Sequence, residues 1–176
     1  MKKAILVVVL ALAVFAATAT AGTKEFWKGG IYITPQFGIN SWGGSIPFGV
    51  NGEFALTENI GLGGSVMLNL WSETYWTSTL INFNADVAYH FTKVNAEKFD
   101  LYAGGGLGYS VYSYKYKSGF EDYGGVGSSS IYIPIFVGAR YYFNPKMAVS
   151  LRLVGSLTGS WSGFGGVLGV TFVLGK

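Results

Sequence analysis

The sequence predicts an all-β protein, an eight-stranded antiparallel up-and-down transmembrane β-barrel, and three observations carry that expectation. Eight segments alternate apolar and polar side chains with period two, the pattern of strands whose faces meet different surroundings. Charged residues make up 12% of the chain, against about 25% in soluble proteins, while aromatics reach 17% and glycines number 27. Beyond Ala21 no apolar run is long enough for a membrane helix, so closed strands remain as the way to cross a bilayer.

The chain opens Met1-Lys2-Lys3, stays apolar from Ala4 to Ala17 and reaches Ala19-Thr20-Ala21. A basic start, a short apolar run and a small-x-small site define a secretory signal peptide, residues 1–21. The run is shorter than the roughly 20 apolar residues of a membrane anchor. Residues 22–176 then form one barrel domain. Without Lys2 and Lys3, ten basic residues face nine acidic ones, a net charge of +1, which gives no basis for a nucleic-acid partner. The chain has no cysteine. Disulfides, thiolate catalysis, cysteine metal sites and a lipoprotein anchor are thereby excluded.

The first strand is expected from Gly30 to Asn40, with Ile31, Ile33, Phe37 and Ile39 outward and Tyr32, Thr34 and Gln36 inward; Pro35 marks a weak or bulged point. The second, Ile46 to Thr57, places Phe48, Val50, Phe54 and Leu56 outward and Asn51 and Glu53 inward. Glu58-Asn59 turns into the third, Ile60 to Leu70, with Leu62, Val66 and Leu68 outward. A polar, aromatic loop over 71–78 precedes the fourth, Thr79 to Phe91, whose inward face holds Asn82, Asn84, Asp86 and His90. Residues 92–100 read as a charged turn before the fifth strand, Leu101 to Tyr116. The longest loop spans 117–129. The sixth and seventh strands, Ile131 to Phe143 and Met147 to Leu157, form a hairpin around Asn144-Pro145-Lys146, with Arg140 and Arg152 on the inward face. Phe164 to Leu174 is the eighth.

Which face meets lipid is decided by charge. The polar face carries only Glu53, Asp86, His90, Arg140 and Arg152 across eight strands, whereas a water-facing surface is dense in Lys and Glu. A secreted soluble barrel of the lipocalin kind, a ligand-binding alternative, would need the reverse arrangement. Aromatics gather at both strand ends: Trp42, Phe48, Trp71, Trp76, Trp161 and Phe164 towards one rim, and Tyr89, Phe91, Tyr141, Phe143 and Phe172 towards the other. Two such belts match the girdles of a membrane barrel, and short turns at one end with longer connections at the other match its asymmetry.

With its signal peptide, the segment Gly138-Ala-Arg-Tyr-Tyr-Phe-Asn-Pro145 and the closing Gly166-Val-Leu-Gly-Val-Thr-Phe172, the chain resembles the small eight-stranded outer-membrane barrels of OmpA/OmpX type. That resemblance implies an integral place in the bacterial outer membrane, membrane lipid and the outer-membrane assembly machinery as partners, a monomer, and no cofactor. One departure is the ending Phe172-Val-Leu-Gly-Lys176, where such barrels usually finish on an aromatic residue.

Glu53, Asp86, Arg140 and Arg152 each lie about four to six residues from the short-turn end, so at about 3.3 Å per residue they share one slab of the interior. An interior just wide enough for side chains makes this quartet an ionic plug, with a gate or ion site as the functional alternative. Inward glycines at 61, 63, 104, 106 and 108 make room for bulky side chains opposite, or leave a water-filled lumen and a narrow solute channel. His90 is the sole histidine, so two-histidine metal sites are excluded. Lipid-modifying barrel enzymes, by the resemblance, keep a histidine near the outer rim; His90 sits at the other end and is read as structural. The chain is expected to be non-enzymatic. Candidate surface contacts are Trp76, Tyr114, Lys115, Tyr116, Lys117, Phe120 and Tyr123, in a hairpin that protrudes beyond the bilayer with an exposed edge suited to an extracellular ligand or surface.

Overall fold

Period-two segments settle as strands where each can hydrogen-bond to a neighbour on both sides and sort its side chains between two surroundings. The computed structural model describes residues 26–40, 46–92, 98–117, 127–158 and 164–174. Its strands are β1 (Ile31–Asn40), β2 (Phe48–Ala55), β3 (Ile60–Ser72), β4 (Trp76–His90), β5 (Phe99–Tyr116), β6 (Gly127–Tyr132), β7 (Pro134–Asn144), β8 (Met147–Ser156) and β9 (Phe164–Leu174). Every pairing is antiparallel. β6 and β7 both lie beside β5 and form one barrel strand interrupted at Ile133. β1 pairs with β9, which closes the ring of eight. Residues 1–21, expected from sequence to be a signal peptide, lie outside the described residues.

The two faces of the wall are opposite in character. Phe54, Leu62, Val87, Ile135 and Leu151 point outward and are 43% to 50% exposed, whereas Tyr32, His90, Asp100, Arg140 and Thr171 are buried inside. A lipocalin-like soluble barrel requires the inverse. Pro35 leaves its mark: the β1–β9 ladder skips from Ile33↔Phe172 to Gln36↔Gly169, because proline has no N–H to give. The hydroxyls of Thr34 and Thr171, 2.8 Å apart, bridge the gap from inside.

Three boundaries differ from the sequence expectation. Asp100 belongs to β5, not to a turn, and its side chain faces inward. The loop expected over 71–78 is mostly sheet, since β3 and β4 stay paired to Ser72↔Thr77 and turn tightly at 73–75. The sixth barrel strand begins at Gly127 rather than Ile131. The wall is therefore uneven. β2–β3 pairing stops at Phe48↔Leu68 and β7–β8 pairing at Pro134↔Ser156, while β4 and β5 pair as far as Trp76↔Tyr116. One side, β3 to β6, rises above the rest as a sheet.

Three inward aromatics each lie across the glycine paired with them on the next strand: Phe136 on Gly104, Tyr132 on Gly108 and Tyr102 on Gly138. A Cβ at Gly138 would fall into the Tyr102 ring. Gly138→Val is accordingly expected to destabilise the barrel by about 1–3 kcal/mol, the usual cost of overpacking. Urea unfolding in lipid vesicles, followed by the mobility difference between heated and unheated protein, measures it; an unchanged midpoint would mean that the ring moves aside freely.

Candidate functional site

Inward parity on four strands brings four titratable side chains together near the short-turn end: Glu53 on β2, His90 on β4, Asp100 on β5 and Arg140 on β7. The His90 ring lies between two carboxylates, with Nε2 2.8 Å from Glu53 Oε1 and Nδ1 2.8 Å from Asp100 Oδ1. Only the doubly protonated ring donates from both nitrogens, and in that form two cations balance two anions. Arg140 donates from Nη2 to Glu53 Oε2, and its Nη1 lies 3.5 Å from Asp100 Oδ2. Its guanidinium also faces the rings of Tyr32 at 5.2 Å and Tyr102 at 4.8 Å, where the negative faces of the π-systems favour a cation.

The residues ahead of β1 close this end. Phe26 is buried and stacks on His90, ring centroids 3.5 Å apart and planes 12° from parallel. Trp27 N–H donates to Tyr32 Oη at 3.1 Å. A tight turn follows, Gly30 N–H to Trp27 O at 3.0 Å, and Gly29 N–H donates to Ala55 O at 2.8 Å. Gly29 has φ of 85°, a left-handed backbone that glycine adopts without strain.

Farther from the short turns, Arg152 on β8 meets Asp86 on β4 at 2.7 Å and lays its guanidinium over Phe136, 3.5 Å from the ring centroid. Asn84 accepts from Tyr132 Oη at 2.6 Å and donates to Ser65 Oγ at 3.0 Å. Above this layer lies a cavity of about 140 Å³, floored by Asp86 and Arg152 and walled in part by Met67, Asn82, Val154 and Val167.

Of the four interior charges singled out from sequence, the structure pairs Glu53 with Arg140 and Asp86 with Arg152. Among the described residues no salt bridge joins the two pairs, so the expected quartet is two separate layers. The reason is register. Arg152 aligns with Gly138, two residues from Arg140, which sets the arginines about 7 Å apart along the strands. His90 and Asp100 complete the lower layer. Asp100 was legible in principle, since it shares inward parity with Tyr102; its place after the charged run Glu97-Lys98 hid it. Phe26 and Trp27 lie ahead of the periodic pattern and give no such signal.

The surface set divides by face. Tyr114 and Tyr116 lie on the inward side of the protruding sheet, and Trp76 is registered with Tyr116. Lys115 and Lys117 alternate to the other side, with Lys117 Nζ donating to Glu73 O at 2.7 Å. Phe120 and Tyr123 lie outside the described residues, as do Trp42 and Trp161. Trp71, expected in the lipid girdle, instead shares the inward face with Tyr112, rings 5.9 Å apart.

No protein-family model and no curated protein matches the sequence. Solved structures do match in shape. The N-terminal β-barrel domain of Pseudomonas aeruginosa OprF superposes with a TM-score of 0.63 at 17% identity, over 84% of this chain and 98% of that one. The outer membrane protein OprG from Pseudomonas aeruginosa gives 0.67 at 10% identity, over 86% and 99%. Ail, the attachment invasion locus protein of Yersinia pestis, gives 0.55 at 10% identity, over 84% and 99%. The likeness is one of fold. This chain has the fold of the small eight-stranded barrels of bacterial outer membranes.

Removing one partner from a buried ion pair strands the other, at about 3–5 kcal/mol. Arg140→Ala is therefore expected to lower the urea midpoint strongly. Separate layers also predict that the losses in Arg140→Ala and Arg152→Ala add within about 0.5 kcal/mol in the double variant. A larger departure from additivity would show that the layers act as one network.

Proposed function

We propose that this protein is an integral, non-enzymatic barrel of the bacterial outer membrane, reached after signal-peptide cleavage, whose lumen is shut at the periplasmic end and whose protruding sheet meets the extracellular side. The observation that carries this reading is the layer of Glu53, His90, Asp100 and Arg140 with Phe26 stacked beneath it. In a barrel this narrow, paired side chains in place of water leave little path for a solute. The exposed apolar band supports lipid as the outer surroundings, and the short turns support the periplasm as the surroundings of that end. The surface role is supported by the height of β3 to β6 and by the fold shared with Ail, a protein named for attachment and invasion. The layer of Glu53, His90, Asp100 and Arg140 is here a structural plug rather than a gate, and the protein acts as a monomer with membrane lipid and the assembly machinery as its partners.

The cavity in the outer half favours the competing reading of a narrow channel, and conductance separates the two. In planar bilayers the native protein is expected to show no steady conductance, and Arg140→Ala to open small, noisy steps. Steady conductance of the native protein would refute the plug. Orientation has its own check, because the chain contains no cysteine. A membrane-impermeant maleimide added to intact cells is expected to label Glu73→Cys and to leave Asn59→Cys unmodified; the opposite pattern would invert the barrel.

A further inference from the structure

The inward face of the protruding sheet carries an unbroken strip of aromatic rings that the plug does not use. Trp71 and Tyr112 have centroids 5.9 Å apart and planes 25° from parallel, and Tyr112 and Tyr114 follow at 6.0 Å and 35°. Tyr116 closes the strip 5.6 Å beyond, edge-on at 77°, and Trp76 stands against it at 6.5 Å. From Tyr112 to Tyr116 the strip runs about 13 Å at about 3.3 Å per residue. These side chains are half-buried, apart from the more exposed Trp76. Their positions are held: Ser78, fully buried, hydrogen-bonds Tyr112 Oη at 3.1 Å.

We propose that this strip is a binding platform for a neutral glycan chain arriving from the medium. It rests on the orientation given above, since the sheet must face outward to meet such a chain. Sugar rings present faces of C–H groups, weakly positive and apolar, that match the negative faces of aromatic rings, and rims of hydroxyls that need hydrogen-bond partners. Tyr and Trp offer both a ring face and a polar handle. Rigid aromatic area interspersed with small hydroxyl side chains is an efficient recognition surface because little side-chain entropy is lost on binding.

Charge selects among ligands. On the described part of this face the side chains between Trp71 and Tyr116 are aromatic, Ser, Asn and Leu, while Lys115 and Lys117 alternate to the opposite face of β5. A sulfated or phosphorylated chain needs cations on the surface that it touches; a neutral one does not. The source of the glycan follows from which way the face looks. Glycolipids of the surrounding leaflet approach the barrel from its lipid side, where the lysines are, whereas the aromatic strip faces the barrel axis. It also runs down into the cavity, since Asn69, Leu80 and Tyr112 are registered in one row and the first two line the cavity wall. A chain end can therefore enter while the rings ahead of it stay stacked.

Calorimetric titration of the purified barrel, folded in a detergent without a sugar headgroup, tests the proposal with cellohexaose and chitohexaose, both flat and uncharged. Saturable binding of at least one is expected. Affinity is expected to fall roughly fivefold to tenfold in Trp71→Ala and in Tyr114→Ala, and to stay unchanged in Lys115→Ala and Lys117→Ala. Heat-modifiable mobility confirms that each variant is folded, and Tyr114→Phe, which keeps the ring, retains binding if Tyr114→Ala fails to fold. The proposal is overturned if neither hexasaccharide saturates, or if binding is indifferent to Trp71 and Tyr114. It is equally overturned if a heparin hexasaccharide binds in their place through the lysines, or if only an unfolded polypeptide such as denatured casein binds. None of these outcomes bears on conductance or labelling, so the platform can fail while the closed outer-membrane barrel stands.

Discussion

The inside of an eight-stranded ring is about as wide as the side chains that fill it, so a charge on the inner face must find its counterpart there. Arg140 is where that constraint bears hardest. It is almost wholly buried, and it is held by Glu53 and Asp100 while His90 spans the same two carboxylates. β4, β5 and β7 are neighbouring staves and β2 stands opposite β7 in the ring, so the Glu53–Arg140 pair ties the wall across its lumen. An effective desolvation penalty of several kcal/mol per ion stands against a total stability of about 5–15 kcal/mol. The cluster therefore tolerates replacement as a set far better than loss of one member.

Volume is settled by a different device. Each of Tyr102, Tyr132 and Phe136 lies flat on a glycine of the adjacent strand instead of reaching across the lumen. In the lower half the remaining space is taken by Tyr32, Tyr142 and the lid residue Phe26, which belong to one buried cluster beside the charges. In the upper half the flattened Tyr132 leaves a cavity above Arg152 that Leu80 and Val154 line without filling.

Much of this fold was legible because period two is a local property. Eight strands, the inward place of Glu53, Asp86, Arg140 and Arg152, and the weak point at Pro35 all follow from counting along the chain. Partner choice was not legible, because it depends on the stagger between strands: Arg152 aligned with Gly138 lands a layer away from Arg140, and nothing in either strand alone records that offset. Asp100 and Trp71 escape the sequence pattern for a related reason. Alternation persists next to a charged run in one case and past Leu70 in the other, where strand pairing outlasts the obvious apolar pattern. Phe26 and Trp27 lie ahead of any repeat, and only their contacts with His90 and Tyr32 show their role.

The uneven wall joins these features. A ring whose strands all ended at one level would present only loops to the outside. Here β3, β4, β5 and β6 continue upward while β2 and β8 end earlier, so the inward face of the barrel is carried beyond the ends of those two strands. Side chains on that extension keep lumen parity yet no longer have a wall opposite at the same height in β2 or β8. Lipid contact cannot explain them, since they face away from it, and a closed core cannot either, since Trp76 and its neighbours retain exposed surface. Tyr and Trp, with one apolar face and one polar atom, suit a surface that is neither core nor membrane. Under the proposed reading of a barrel shut below, that surface serves recognition rather than transport.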